Sequence, residues 1–341
     1  LSYLTDKTYD FYGFNGYEAV YNEAWTNDQS PEYRSRVFYK YDRKLSRFTT
    51  DVQGNFSNGR FGWVAGVGLY DYHVDTVDVD RLNRGKSAGD RLPYVGGGLY
   101  QRYVDWGIID PGEAKGGFVT YLKVGAVYDT RDNEPNPMSG VWTEAVVTYA
   151  PSFLGIGSRY SHAKLSLTHR QYFTLVRERL SFAYRLGYQG TLWGTCPFYL
   201  QPNISTLYLR GATNEGLGGS KYLRGIIRNR VVGDGVAYAN LELRWKFYRF
   251  YLLKQNFYLS LSAFLDAGQV VTPVSFEVNF TDDGHPESDY FSSTDESLHS
   301  SLGGGFRVVM NQNFVVAVDY GRALKRSDGI AGTYVGLNFL F

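Results

Sequence analysis

Alternation with a period of two residues runs through most of this chain. Between residues 236 and 247, VAYANLELRWKF, one face carries Ala237, Ala239, Leu241, Leu243, Trp245 and Phe247. The other carries Tyr238, Asn240, Glu242, Arg244 and Lys246. Between 256 and 268, NFYLSLSAFLDAG, the residues Phe257, Leu259, Leu261, Ala263 and Leu265 stand opposite Tyr258, Ser260, Ser262, Phe264 and Asp266. The stretches 121–131, 162–170, 179–188, 314–321 and 333–341 follow the same rule. Successive side chains of a strand point to opposite faces. Each stretch therefore predicts a β-strand with one apolar face and one face that tolerates charge.

The connections alternate in length. Short ones fall at Ser57–Arg60, whose SNGR carries an Asn-Gly hairpin signal, at Val176–Arg179 and at Asn311–Asn313. Long polar ones cover roughly 22–35, 74–117, 190–235 and 272–297. A soluble β-sandwich turns at both ends every 8–12 residues or so, without such an asymmetry. Strands of about ten residues joined alternately by short and long connections predict an all-β fold, a transmembrane antiparallel β-barrel. Its short turns would lie in the periplasm and its long loops outside the cell. Tyrosines and tryptophans gather near the strand ends, as in an aromatic girdle. The whole chain, 1–341, reads as one barrel domain, with 190–235 as a long extracellular loop. About twelve complete strands can be counted, preceded by Leu1–Tyr9, which reads as the tail of another. Single-chain bacterial barrels have even strand numbers, so further strands are expected ahead of Leu1.

Composition narrows the alternatives. Aromatics make up 17%, with 30 Tyr, 22 Phe and 6 Trp, and there are 39 Gly against 10 Pro, which favours strands and tight turns. Mean hydropathy is −0.31, and no run approaches the roughly 18 apolar residues a transmembrane helix needs. The net charge of +1 provides no field for nucleic acid. A single cysteine, Cys196, excludes an intrachain disulfide framework and lacks the companions of a zinc site.

One segment of the 190–235 loop is unusual. GGSKYLRGIIRNR, residues 218–230, sets Arg224 beside Gly225 with more cations close behind. By parity Glu242 and Asp266 both point away from the apolar faces of consecutive strands, into the lumen of a barrel. Two carboxylates confined together call for a cation. A guanidinium fork can bridge them where lysine does so less well. The loop is therefore expected to fold inward and to pair Arg224 with Asp266 and Glu242.

These features together resemble the Omp85 superfamily, the BamA-like bacterial surface antigens. That family's inward-folding loop carries Val/Ile-Arg-Gly-Phe/Tyr. Here the stretch is Leu223-Arg224-Gly225-Ile226, which keeps the Arg-Gly core and departs at both flanks. The family's Phe-x-Asp-x-Gly strand is present as Phe264-Leu265-Asp266-Ala267-Gly268, and its Asn-x-Glu as Asn240-Leu241-Glu242. VYDTRDNEPNPMSGVW, 127–142, is similar to the family's strand–turn–strand, and the strand ending at Phe341 looks like an insertion signal. The resemblance implies a sixteen-strand barrel when intact. It also implies a terminal strand acting as targeting and seam element. There Val335, Leu337, Phe339 and Phe341 would face lipid, and Tyr334, Gly336 and Asn338 would face inward. No periplasmic POTRA domain is visible in the chain.

Catalytic patterns are absent. His169 shares a face with Leu165 and Leu167, and His162, which points inward, has no serine–acid arrangement near it. The acidic stretch with Asp282, Asp283, Glu287, Asp289, Asp295 and Glu296 lacks EF-hand spacing and reads as a solvated loop. VGGGLY and GLGGS lack the strand–loop–helix context of phosphate binding. The expected role is non-enzymatic and cofactor-free: insertion, assembly or translocation of proteins at the outer membrane of a Gram-negative bacterium, through a lateral seam. The expected partners are outer-membrane lipids, with client outer-membrane proteins or lipoproteins. A passive diffusion pore or a structural surface antigen is the alternative.

Overall fold

A computed structural model describes residues 2–56, 59–155, 159–206, 212–281 and 283–341, with the side chains of 212–214 left aside. Leu1 and the Ser57–Asn58 pair of the expected hairpin turn lie outside the described residues, as does Asp282 of the acidic stretch. Twelve antiparallel strands form one sheet. They are β1 (Ser2–Asp10), β2 (Lys40–Asn55), β3 (Phe61–Asp75), β4 (Gly116–Asp129), β5 (Gly140–Ala150), β6 (His162–Val176) and β7 (Leu180–Gly194). A small ribbon, β8 (Asn203–Ser205) and β9 (Ala212–Asn214), stands apart within the following loop. The sheet continues with β10 (Gly235–Leu252), β11 (Gln255–Thr272), β12 (His299–Met310), β13 (Phe314–Ala323) and β14 (Ala331–Leu337). Each sheet strand pairs with its sequence neighbours, and β7 pairs directly with β10. Among the described residues no helix is long and apolar enough to cross a membrane.

The period-two pattern maps onto two surfaces. Leu241, Leu243, Trp245, Leu261 and Leu265 are exposed on the outer wall, while Asn240, Glu242, Arg244, Ser260, Ser262 and Asp266 are buried inside. An apolar outer face and a polar interior are what lipid outside demands. The leading stretch, read as a fragment, is strand β1 and counts among the twelve.

Long connections gather at one mouth. Residues from 11–39, 76–115, 195–234 and 273–298 pack there into a single aromatic cluster that includes Phe11, Phe14, Trp25, Tyr103, Trp106 and Tyr290. A short helix, α1 (Val79–Asn83), and a second, α2 (Gly98–Asp105), lie in the second of these loops. Phe11 meets Tyr103 edge-on at 5.1 Å, and Trp106 meets Tyr290 at 4.9 Å. The cluster caps the barrel.

Candidate functional site: a loop locked into the lumen

Residues 215–231 leave β9, cross the lumen and lay Arg224 against the inner wall formed by β10 to β13. Arg224 is 1% exposed and Asp266 is fully buried. The Arg224 main-chain N–H donates to Asp266 Oδ2 at 3.0 Å, its Nε to the same oxygen at 2.9 Å, and its Nη2 to Oδ1 at 3.1 Å. Nη1 donates to Asp319 Oδ2 at 3.3 Å and lies 3.8 Å from Glu242 Oε1. The bond to Asp266 is thus direct, and the contact with Glu242 is an ion pair without a hydrogen bond.

The strand motif explains itself by period. Phe264, Asp266 and Gly268 all point inward at alternate positions of β11. The Phe264 ring centroid lies 3.5 Å from the Arg224 guanidinium carbon, a cation–π contact away from bulk water. Asp266 grips the same guanidinium. A Cβ on Gly268 would sit 3.0 Å from Leu217 Cδ1, so the glycine leaves room for the loop. On β10, Asn240 holds the loop's main chain: its Nδ2 donates to the Tyr222 carbonyl at 2.6 Å. Its Oδ1 accepts from Arg185 Nε at 2.8 Å, and Arg185 Nη2 donates to the Lys221 carbonyl at 2.8 Å.

Gly225 is where the loop's main chain touches β13. Its φ is 95°, and a Cβ would lie 2.6 Å from both Arg322 N and Gly321 C. Only glycine permits this approach of backbone to backbone. Its N–H donates to the Tyr334 hydroxyl of β14 at 2.8 Å. The loop therefore spans from β10 to the last strand.

Two further arginines complete the site, and the sequence reading did not single them out. Arg307 Nη2 donates to Glu242 Oε1 and to Asp319 Oδ2, both at 3.1 Å, and its Nη1 lies 2.7 Å from Asp319 Oδ1. Arg244 Nη2 donates to Glu242 Oε2 at 3.1 Å. The lock is thus three arginines facing three carboxylates. Parity was the available signal, since Arg244 precedes Lys246 on the lumen face of β10 and Asp319 shares the lumen face of β13 with Ala317.

The Omp85 superfamily domain matches residues 6–341. The chain belongs to that superfamily. Its fold is similar to that of BamA from Haemophilus ducreyi lacking POTRA domains 1–3, with TM-score 0.50 and 14% identity. That match covers 86% of this chain and 55% of that protein. CdiB from Escherichia coli is also similar, with TM-score 0.49 and 14% identity over 88% of this chain and 44% of CdiB. The chain thus spans about half the length of the solved proteins it resembles. Comparison with curated protein sequences gives no match.

The terminal strand of this Omp85 barrel corrects one expectation. Val335 and Leu337 do face outward, at 76% and 67% exposure, and Tyr334 turns inward. But β14 ends at Leu337, and Asn338 adopts a left-handed φ of 71°. That turn swings Phe339 and Phe341 off the lipid face and into the lumen. Phe339 lies over Arg244 at 4.3 Å, and the Phe341 main-chain oxygen accepts from Arg244 Nη2 at 2.8 Å. Aromatic rings on guanidiniums compensate for leaving the sheet. Gly336 stays in β14, paired with Ala317, with nothing near the position of a Cβ.

The acidic stretch is corrected at two residues, Asp283 and Glu296, while Glu287 and Asp295 are exposed as a solvated loop would have them. Asp283 accepts from Arg34 at 3.0 Å, from Arg102 at 2.5 Å and from the Tyr290 hydroxyl. Glu296 Oε2 accepts from the Tyr17 N–H at 2.8 Å, and its Oε1 meets His299 Nε2 at 3.0 Å. These carboxylates clamp the loops of the cap together. Cys196 is buried under the cap, where burial pushes its thiol up to about 11. His162 is buried between the Tyr160 carbonyl and the Tyr121 hydroxyl, while His169 sits on the outer side beside Thr143.

Proposed function

We propose that this chain inserts, assembles or translocates proteins at the outer membrane of a Gram-negative bacterium, working through a lateral opening beside β14. The observation that carries the reading is the shortness of β14. Among the described residues its ladder with β13 runs only over 331–337, and at Asn338 the tail leaves the sheet for the lumen. So short a terminal ladder gives way more easily than a long one, and a strand edge freed there offers N–H and C=O groups to which another strand can add. On this reading the clients are nascent outer-membrane strands, lipoprotein partners assist, and the chain performs no bond chemistry. The capped mouth and the charge lock weigh against an open diffusion pore.

Depletion of the protein in its host, with quantification of other outer-membrane barrels by mass spectrometry, tests the proposal. We expect a subset of barrels to fall. A Val335→Pro variant, which removes one edge N–H, should complement poorly while remaining folded by its heat-dependent gel mobility. Unchanged barrel levels on depletion would reject the reading, and a steady single-channel conductance of the purified protein would favour the pore.

A further inference from the structure

The mouth with the short turns holds a different feature from the lock above it. A cavity of about 800 Å³ opens there, lined by the ends of β10 and β11 and by the turn around residue 133. That volume lies within the usual range of ligand sites. A register shift between Lys246 and Tyr248 places an extra residue in β10, after which Arg249 pairs opposite the inward-facing Tyr258. The bulge therefore turns both Lys246 and Arg249 toward the cavity.

Two buried polar atoms on its walls lack a hydrogen-bond partner, and an unpaired cation stands beside them. Lys246 is 9% exposed, and its amine makes no hydrogen bond or ion pair among the described residues, resting 4.8 Å from the Tyr258 ring. The Tyr258 hydroxyl and the Asn136 side-chain amide nitrogen have no hydrogen-bond partner either. Buried donors without acceptors are costly, and these two face the same space as the Lys246 amine. Arg244, one inward position above Lys246, extends the row: its Nη2 already holds the main-chain oxygen of Phe341, while its Nε and Nη1 are unengaged.

We propose that this vestibule binds an extended peptide segment bearing a carboxylate, with the carboxylate at Lys246 and main-chain carbonyls at Asn136 and Tyr258. A peptide suits the site better than a free anion. The cavity greatly exceeds one small ion. Beyond Lys246 its charges are the Glu178–Arg249 pair at 2.8 Å, neutral overall, and Asp132, which disfavours a second negative charge on the ligand. The docked Phe341 shows that the same donor row can hold a main-chain oxygen. The proposal stands on this cavity alone and survives if insertion activity is absent.

The test is fluorescence anisotropy on the whole purified protein in detergent micelles. The probes are Gly-Ser-Asp-Phe-Gly amide carrying an uncharged fluorophore, the same peptide with Asn for Asp, and inorganic phosphate as competitor. We expect saturable binding of the Asp peptide and weaker binding of the Asn peptide. Lys246→Gln should weaken the Asp peptide about tenfold, the size of one charged hydrogen bond, and the Asn peptide much less. Lys246→Arg should retain most affinity, and unchanged heat-dependent mobility would show that both variants are folded. Absence of saturable binding would overturn the proposal, as would equal binding of both peptides unaffected by Lys246→Gln. Displacement of the Asp peptide by an equal concentration of phosphate would reassign the cavity as a small-anion site.

Discussion

Around Arg224, three guanidiniums meet three carboxylates in a space with almost no water access; toward the long-loop mouth, rings from four separate loops pack on one another. Both fill the same barrel, but they are stabilised differently. In the lock each charge has been taken out of water, and only its partners compensate for that cost. Removing one leaves a net buried charge. In the cap the contribution is apolar area and ring contacts, spread over many residues, so that one change is shared among neighbours. The first is specific and brittle, and the second is broad and forgiving.

Near-isosteric changes separate the two regimes most sharply. Asp266→Asn keeps the shape and deletes one of three carboxylates, leaving an uncompensated guanidinium. We expect a loss of about 3–5 kcal/mol in urea unfolding followed by heat-dependent mobility. Arg224→Ala should behave alike from the other side, with Arg224→Lys intermediate because lysine lacks the fork. The double variant Arg224→Met with Asp266→Leu removes both charges and should recover most of the loss. An Asp266→Asn midpoint equal to the parent's would break the comparison at its root.

A smaller loss is expected from the backbone contact beneath the lock. Gly225→Ala meets Arg322 N and Gly321 C at 2.6 Å and keeps a φ of 95°. About 1–3 kcal/mol of strain follows, relieved if the loop lifts away from β13. Limited proteolysis should then cut within 218–230 while the strands stay protected. Phe14→Leu in the cap, a change of similar volume, should cost less than about 1.5 kcal/mol and should not respond to salt. A loss as large as that of Asp266→Asn would show that the cap is as brittle as the lock.

The same contrast decides what could be read from the sequence. Strand alternation fixes which side chains share a lumen, so Glu242, Asp266 and the inward course of Arg224 follow from counting by twos. Asp319 and Arg307 obey the same count, but nothing local marks them as partners, since their role arises only when β12 and β13 curl to face β10. The cap was not legible. Its rings come from loops without periodicity, and Asp283 or Glu296 look solvated until the loops around them are folded. The tail escaped for another reason. Residues 338–341 continue the alternation of β14 perfectly, yet one left-handed residue, Asn338, moves Phe339 and Phe341 from the outer wall to the arginines inside. Period predicts a face only while the strand lasts.

The smallest effect expected concerns a charged clamp within the largely aromatic cap. Asp283 joins Arg34 from the first long loop and Arg102 from the second to Tyr290 on its own loop. Burial works against its charge, but hydrogen bonds from Tyr290, Arg34 and Arg102 outweigh it and hold the carboxyl down to about 2, from an ordinary 3.8. A depressed folded-state value means that the clamp contributes fully above the unfolded value. Its contribution is lost as the pH falls through the folded one, so the window lies between about pH 4 and pH 2. The group is partly exposed, so solvent screens much of the interaction and the effect on global stability is small. It is nonetheless local and visible. Trp25 and Trp106 both pack on Tyr290, at 5.2 and 4.9 Å. Their fluorescence should therefore shift on acidification through that window, before the barrel itself unfolds. Asp283→Asn should abolish the shift while leaving the aromatic packing, and raised salt should shrink it in the parent. A pH-independent tryptophan signal in the parent would mean that the rings alone hold the cap, with the clamp contributing nothing.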